Sequence, residues 1–145
     1  MLRPIHCILL IDDDPDDNYL HKLVIEESGL CDVVNVVETG IKGLAYLSQT
    51  NQPDYIHPDL ILLDINMPGL NGFEFLEQYG QLEKSLRNSL IFLMLTTPLR
   101  SADNKRLPPL DEIKGGLPKP LTRSALQQLA DTYFTTSEKI SQHQG

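Results

Sequence analysis

Three runs in this chain are apolar at every position: Ile8–Ile11, Leu60–Leu63 and Leu90–Leu95. A strand with one wet face alternates apolar and polar residues, so a strand apolar on both faces has to be covered on both. A parallel sheet with helices on either side meets that demand. The segments between the runs read accordingly.

Ile5–Ile11 forms the first strand, and Asp14-Pro15-Asp16-Asp17 opens a helix. Asp14 can cap, Pro15 suits the first helical position, and the acids that follow complement the helix dipole. This helix is expected to bury Leu20, Leu23 and Val24 and to end near Gly29. Val33–Val37 is the second strand. Thr39 or Gly40 opens a second helix with Ile41, Leu44, Ala45 and Leu47 as its apolar positions.

A connection over Asn51–Pro58 leads into the third strand, Leu60–Asp64. A third helix is expected over Phe73–Glu83, with Phe73, Leu76 and Tyr79 or Gly80 facing inward, followed by the fourth strand, Leu90–Leu95. Ser101–Leu107 has room for a short helix before Pro108-Pro109 stops it. A weak fifth strand lies around Gly115–Pro118, and Thr122 caps a last helix carrying Leu126, Leu129, Ala130 and Tyr133. Residues 1–137 are expected to form one domain and 138–145 a frayed polar tail. Five βα units in succession mean a doubly wound parallel α/β sheet.

The formal charge of −8 disfavours nonspecific nucleic-acid binding, because phosphates attract basic surfaces. No stretch approaches the roughly 20 apolar residues of a membrane span, and the first residues lack a signal-peptide pattern. The expected compartment is the cytoplasm. Cys7 and Cys31 read as small core residues, and His6, His21, His57 and His143 show no metal-ligand spacing.

The polar residues matter where the strands end. The first strand runs into Asp12-Asp13, the third ends in Asp64, the fourth runs into Thr96-Thr97, and the fifth into Lys119-Pro120. In an open α/β sheet, ligands bind outside the carboxyl ends of the strands. Carboxylates crowded there repel by a few kcal/mol per pair at an effective dielectric of about 20, so the cluster calls for a proton or a cation. Oxygen donors without His or Cys select a hard ion, Mg²⁺ above all. With a hydroxyl and an ammonium beside them, they can stabilise a transferring phosphoryl group, with an aspartate as nucleophile. Each residue alone has an ordinary reading: a solvated helix start, a turn-opening Asp, a β-prone Thr, a surface Lys. The conjunction at successive strand ends outweighs those readings.

The motifs ILLIDD (8–13), DLILLDINMPGLNG (59–72), LIFLMLTT (90–97) and LPKPL (117–121) resemble a response-regulator receiver domain of the CheY type over about residues 5–136. The resemblance implies sheet order 2-1-3-4-5 with five flanking helices. It implies Asp64 as phospho-acceptor from the phosphohistidine of a sensor histidine kinase. Asp12 and Asp13 match the Mg²⁺-holding acidic pair, Asp13 the more direct ligand and Asp12 acting largely through water. Asp64 and the backbone carbonyl of Asn66 complete that metal shell. Thr96 matches the switch hydroxyl and Lys119 the lysine on the phosphoryl oxygens, with a cis Lys119-Pro120 bond.

Three departures stand out. Gly116 occupies the position of the usual switch aromatic, Pro98 that of a polar residue affecting dephosphorylation, and Pro108-Pro109 shorten the fourth helix. The residues after Lys119 suffice for one helix and a tail, so no output domain is expected. The signal is then expected to pass by noncovalent binding to a downstream protein or by phosphorelay. Leu99–Pro109 and the last helix are the candidate partner face, equally able to form a homodimer.

Two rivals remain. A haloacid-dehalogenase-like phosphatase also uses an aspartyl phosphate, but it expects a general acid where Asn66 stands. A phosphorylation-independent interaction module of the same fold is kept alive by Gly116.

Overall fold

Successive residues of the apolar runs divide between two cores, as the period of a strand requires. Ile8, Leu10, Leu60, Leu62, Phe92 and Met94 belong to one; Leu9, Ile11, Ile61, Leu63, Ile91 and Leu93 belong to the other. In the computed structural model, which describes residues 3–134, these runs lie in a five-stranded sheet. The expected tail at 138–145, and His143 with it, fall outside the described residues.

The strands are β1 (Ile5–Ile11), β2 (Cys31–Val37), β3 (Leu60–Asp64), β4 (Leu90–Leu95) and β5 (Ile113–Pro118). Their order is β2-β1-β3-β4-β5 and every pairing is parallel, with Leu10 beside Leu62 and Leu62 beside Phe92. The helices are α1 (Pro15–Ser28), α2 (Gly40–Leu47), α3 (Gly72–Tyr79), α4 (Ser101–Asn104) and α5 (Arg123–Tyr133). Ile25 of α1 and Leu126, Leu129 and Ala130 of α5 close one core. Leu47 of α2 and Phe73, Phe75, Leu76 and Tyr79 of α3 close the other. Burying each leucine, isoleucine or phenylalanine among them contributes about 1.5–3 kcal/mol.

The caps form as their residue types require. Asp14 accepts hydrogen bonds from the backbone N–H groups of Asp16 and Asp17, and α1 ends at Gly29 with φ 72°. Thr39 accepts from Lys42 N–H and Thr122 from Ala125 N–H. Asn71 and Glu74 make a reciprocal capping box at the start of α3. Gly72 is required there by close approach: a Cβ would stand 2.7 Å from Ile65 Cα.

Two helix faces correct the sequence reading. The buried stripe of α1 is Asn18, His21, Ile25 and Ser28, whereas Leu20 and Leu23 are 49% and 39% exposed. In α2 the buried positions are Gly40, Gly43 and Leu47, and Ile41 is 68% exposed. Small residues let α2 lie close to the sheet, and that face carries little apolar signal of its own.

Boundaries also move. β2 begins at Cys31, two residues before the expected start, and β5 begins at Ile113, with a register irregularity opposite Ile91/Phe92. Helix α3 ends at Tyr79 instead of reaching Glu83; Gly80 follows it, packed near Leu110, and a single 3-10 turn forms at Lys84–Leu86. Cys7 and Cys31 are buried as expected, and burial pushes their thiols up to about 11 and about 12.

Candidate functional site

Since all five strands run parallel, the residues that follow them share one rim. Asp12 and Asp13 come directly after β1, Asp64 ends β3, Thr96 follows β4, and Lys119 follows β5. One carboxylate oxygen from each of Asp12, Asp13 and Asp64 lies within 4.8 Å of the other two.

Lys119 ties this cluster together. Its Nζ donates to Asp12 Oδ2 at 2.9 Å and to Asp17 Oδ2 at 2.9 Å, and stands 3.5 Å from Asp64 Oδ1. The Lys119–Pro120 peptide is cis. Burial acts to lower the lysine's pKa, but the hydrogen bonds it donates to Asp12 and Asp17 and the neighbouring negative charge outweigh it and raise it. The ammonium therefore stays charged.

Asp12 is held from three sides. Its Oδ1 accepts from Asp14 N–H at 2.9 Å, its Oδ2 accepts from Lys119, and its backbone carbonyl accepts from Asn18 Nδ2 at 2.8 Å. Asp64 is 6% exposed. Its Oδ1 accepts from Asn66 N–H at 3.2 Å. Its Oδ2 has no hydrogen-bond partner among the described residues. Burial raises the Asp64 pKa first and the Asp12 charge adds to it, while the Asn66 N–H and Lys119 pull the other way.

Four carboxylates, those of Asp12, Asp13, Asp17 and Asp64, thus face one ammonium. The surplus negative charge, carried on oxygen donors alone, fits a hard divalent cation and gives no purchase to a soft one. Asp12, Asp13 and Asp64 are the residues able to hold it.

Thr96 stands exposed just past β4, with Thr97 and Pro98 also exposed beside it. A shallow, mostly apolar slot of about 190 Å³ lies here, lined by Leu95, Thr96, Pro98, Gly116 and Leu117 among others. Gly116 makes no room for a ring to swing. A Cβ at this position would come within 2.6 Å of Leu95 Cδ1, so the leucine already occupies that space.

Two residues of the site escape a reading of strand ends alone: Asp17, which shares Lys119 with Asp12, and Asn18, which fixes the Asp12 backbone. The available signal was helical spacing. Asn18, His21, Ile25 and Ser28 recur at 3- and 4-residue steps, the period of a buried face, although three of the four are polar.

Comparison with known proteins agrees with this geometry. The family model for the response regulator receiver domain matches residues 8–131. Protein PilH of Pseudomonas aeruginosa is 36% identical over 90 residues, 62% of this chain and 65% of that protein. The nitrate/nitrite response regulator NarL of Escherichia coli is 38% identical over 84 residues, 58% of this chain and 35% of that protein. A protein-glutamate methylesterase/protein-glutamine glutaminase of Trichodesmium erythraeum matches over only 21% of its length. The match thus spans less than two thirds of these relatives.

Among solved structures, a two-component response regulator from Cytophaga hutchinsonii aligns with TM-score 0.77 at 29% identity, covering 90% of this chain and 97% of that one. One from Legionella pneumophila aligns with TM-score 0.72 at 30% identity, covering 88% and 98%. With its parallel sheet in the order β2-β1-β3-β4-β5 and its acidic rim, the chain belongs to the response regulator receiver domain family of two-component signalling.

Proposed function

We propose that the chain is a Mg²⁺-dependent phospho-acceptor whose acceptor atom is Asp64 Oδ2. One observation carries this reading. Among the acids of the rim, Asp64 is buried with one oxygen engaged by Asn66 N–H and near Lys119, while the other is unclaimed beside two further carboxylates. An oxygen fixed in place and free of hydrogen bonds is suited to attack phosphorus.

In this reading Asp64 Oδ2 forms a bond to phosphorus as the bond to the donor's leaving atom breaks, and the leaving group departs with that electron pair. The sensor histidine kinase's phosphohistidine is the physiological donor. Lys119, charged and already pointed at the cluster, exchanges part of its contact with Asp12 and Asp17 for the phosphoryl oxygens. Thr96 supplies a hydroxyl from the β4 side. A bound Mg²⁺, held by Asp12, Asp13, Asp64 and the Asn66 carbonyl, supplies positive charge where the phosphoryl oxygens gain negative charge.

The phosphatase alternative loses ground at Asn66, whose amide cannot act as a general acid. The response to phosphorylation is read through the exposed Thr96–Pro98 loop without ring rotation. A downstream or relay protein, or a second copy, docks on Leu99–Pro109 and α5. No helix among the described residues is long and apolar enough to cross a membrane.

The test is intact mass after incubation with a small acyl phosphate, with and without Mg²⁺. Wild type is expected to gain one phosphoryl group only with Mg²⁺, and Asp64→Asn to gain none while keeping its fold. Labelling that persists on Asp64→Asn would move the acceptor elsewhere.

A further inference from the structure

Beside the acceptor loop, on the α3–α4 side, lies a polar cavity of about 250 Å³. Asn66, Phe73, Thr97, Arg100, Asp103 and Arg106 are among the residues that line it. The Arg106 guanidinium sits over the Phe73 ring, 4.1 Å from the ring centroid. A guanidinium over an aromatic face is oriented by the ring yet keeps in-plane N–H donors for an anion. No ion pair engages either arginine among the described residues. The one acid in the cavity, Asp103, has Oδ2 turned back to accept from Arg100 N–H at 3.2 Å.

The placement is unusual for this molecule. The chain as a whole carries −8 and the acceptor rim is a cluster of carboxylates, so an approaching anionic phosphodonor is repelled. The two arginines stand where the rim gives way to α4. Lys119, Thr96 and a divalent cation serve the phosphoryl oxygens. None of them serves the leaving group, which must lie on the far side of phosphorus from Asp64.

We infer that the Asn66–Thr97–Arg100–Arg106 cavity is an anion subsite for the leaving carboxylate of small acyl phosphates. The inference rests on Asp64 as acceptor. As the Asp64 Oδ2–P bond forms and the acyl O–P bond breaks, the electron pair goes to the departing carboxylate, which Arg106 and Arg100 receive. No proton and no further reactant is needed. A donor that leaves as a neutral amine gains little from the same cations, so the subsite selects acyl phosphates over phosphoramidates.

The test compares Asp64 labelling rates with acetyl phosphate and with phosphoramidate, at several donor concentrations, for wild type, Arg106→Gln, Arg106→Lys and Arg100→Gln. The ratio of the acetyl phosphate rate to the phosphoramidate rate should fall about tenfold in Arg106→Gln, as expected for loss of a charge-assisted contact. It should fall less in Arg100→Gln and be partly restored in Arg106→Lys. An unchanged ratio, whether both rates hold or both drop together, would overturn the subsite while leaving the acceptor intact. Failure of wild type to label with either donor would overturn the acceptor assignment and the subsite with it.

Discussion

On the β1–β3 side of the rim, Asp12 and Asp64 are 4% and 6% exposed, and Asp12 is bonded through both carboxylate oxygens and its carbonyl. On the β4–β5 side, Thr96, Thr97, Pro98 and Gly116 are exposed, α4 is four residues long, and a slot opens between the two strand ends. The difference has a chemical reason. Acids that must sit close together need fixed partners, or they swing apart to relieve repulsion. A loop that must report a new charge to another protein needs room to move. The β1–β3 half fixes the acids, with Lys119 reaching across from β5 to hold them, and the β4 loop is the half left free to respond.

The sharpest way to break this comparison is Lys119→Ala, which leaves the buried Asp12 carboxylate without its cation. The cost is expected to be about 3 kcal/mol in chelator. Mg²⁺ should restore more of the urea midpoint in this variant than it adds to wild type, because the ion offsets the same repulsion. A loss under about 1 kcal/mol would mean that the β1–β3 half is not held through Lys119.

A matched pair of substitutions measures the contrast itself. In Gly72→Ala the new Cβ meets the Ile65 backbone at 2.7 Å, on the tight side. In Gly116→Ala it meets Leu95 Cδ1 at 2.6 Å, the end of a flexible side chain. Overpacking against backbone should cost about 2–3 kcal/mol, and against a leucine tip under about 1 kcal/mol. Equal costs by chemical denaturation would erase the distinction.

The smallest effect lies at the opposite end of the sheet and serves as a control. Ser89 Oγ donates to the Pro58 carbonyl at 2.6 Å, so His57 Nε2 donates to Ser89, and in the neutral ring Nδ1 accepts from Tyr55 OH at 3.0 Å. That arrangement wants a neutral ring, and burial lowers the His57 pKa below its ordinary 6.5. A cationic group with a lowered folded pKa costs nothing above the ordinary value. Its penalty appears as pH falls below 6.5 and is complete below the folded pKa. His57→Gln should flatten the acid limb of the stability curve between pH 7.5 and 5.5 without changing Asp64 labelling at neutral pH. A limb of unchanged slope would place the titration in another group.

Much of the fold was legible because its signals are local and unambiguous. The apolar runs define β1, β3 and β4, and Asp14, Thr39 and Thr122 cap the helices they precede. The face of α1 was not legible, since Asn18 turns inward to hold the Asp12 carbonyl and His21 is buried with it, while Leu20 and Leu23 remain exposed. Hydrophobicity cannot reveal a face whose work is polar. Local sequence marks Asp17 as a helix-dipole acid, although its longer-range task is to share Lys119. Its partner is 102 residues away, beyond the reach of any local pattern.

The most direct measurement is peptide-resolved hydrogen exchange of the intact chain, before and after Mg²⁺-dependent acyl-phosphate labelling. Exchange should change over residues 95–107, in the Thr96 loop and α4, and stay nearly constant over β1 and the start of α1. A change confined to β1 and α1, or no change once Asp64 carries the phosphoryl group, would contradict the division of the rim into a chemical half and a responding half.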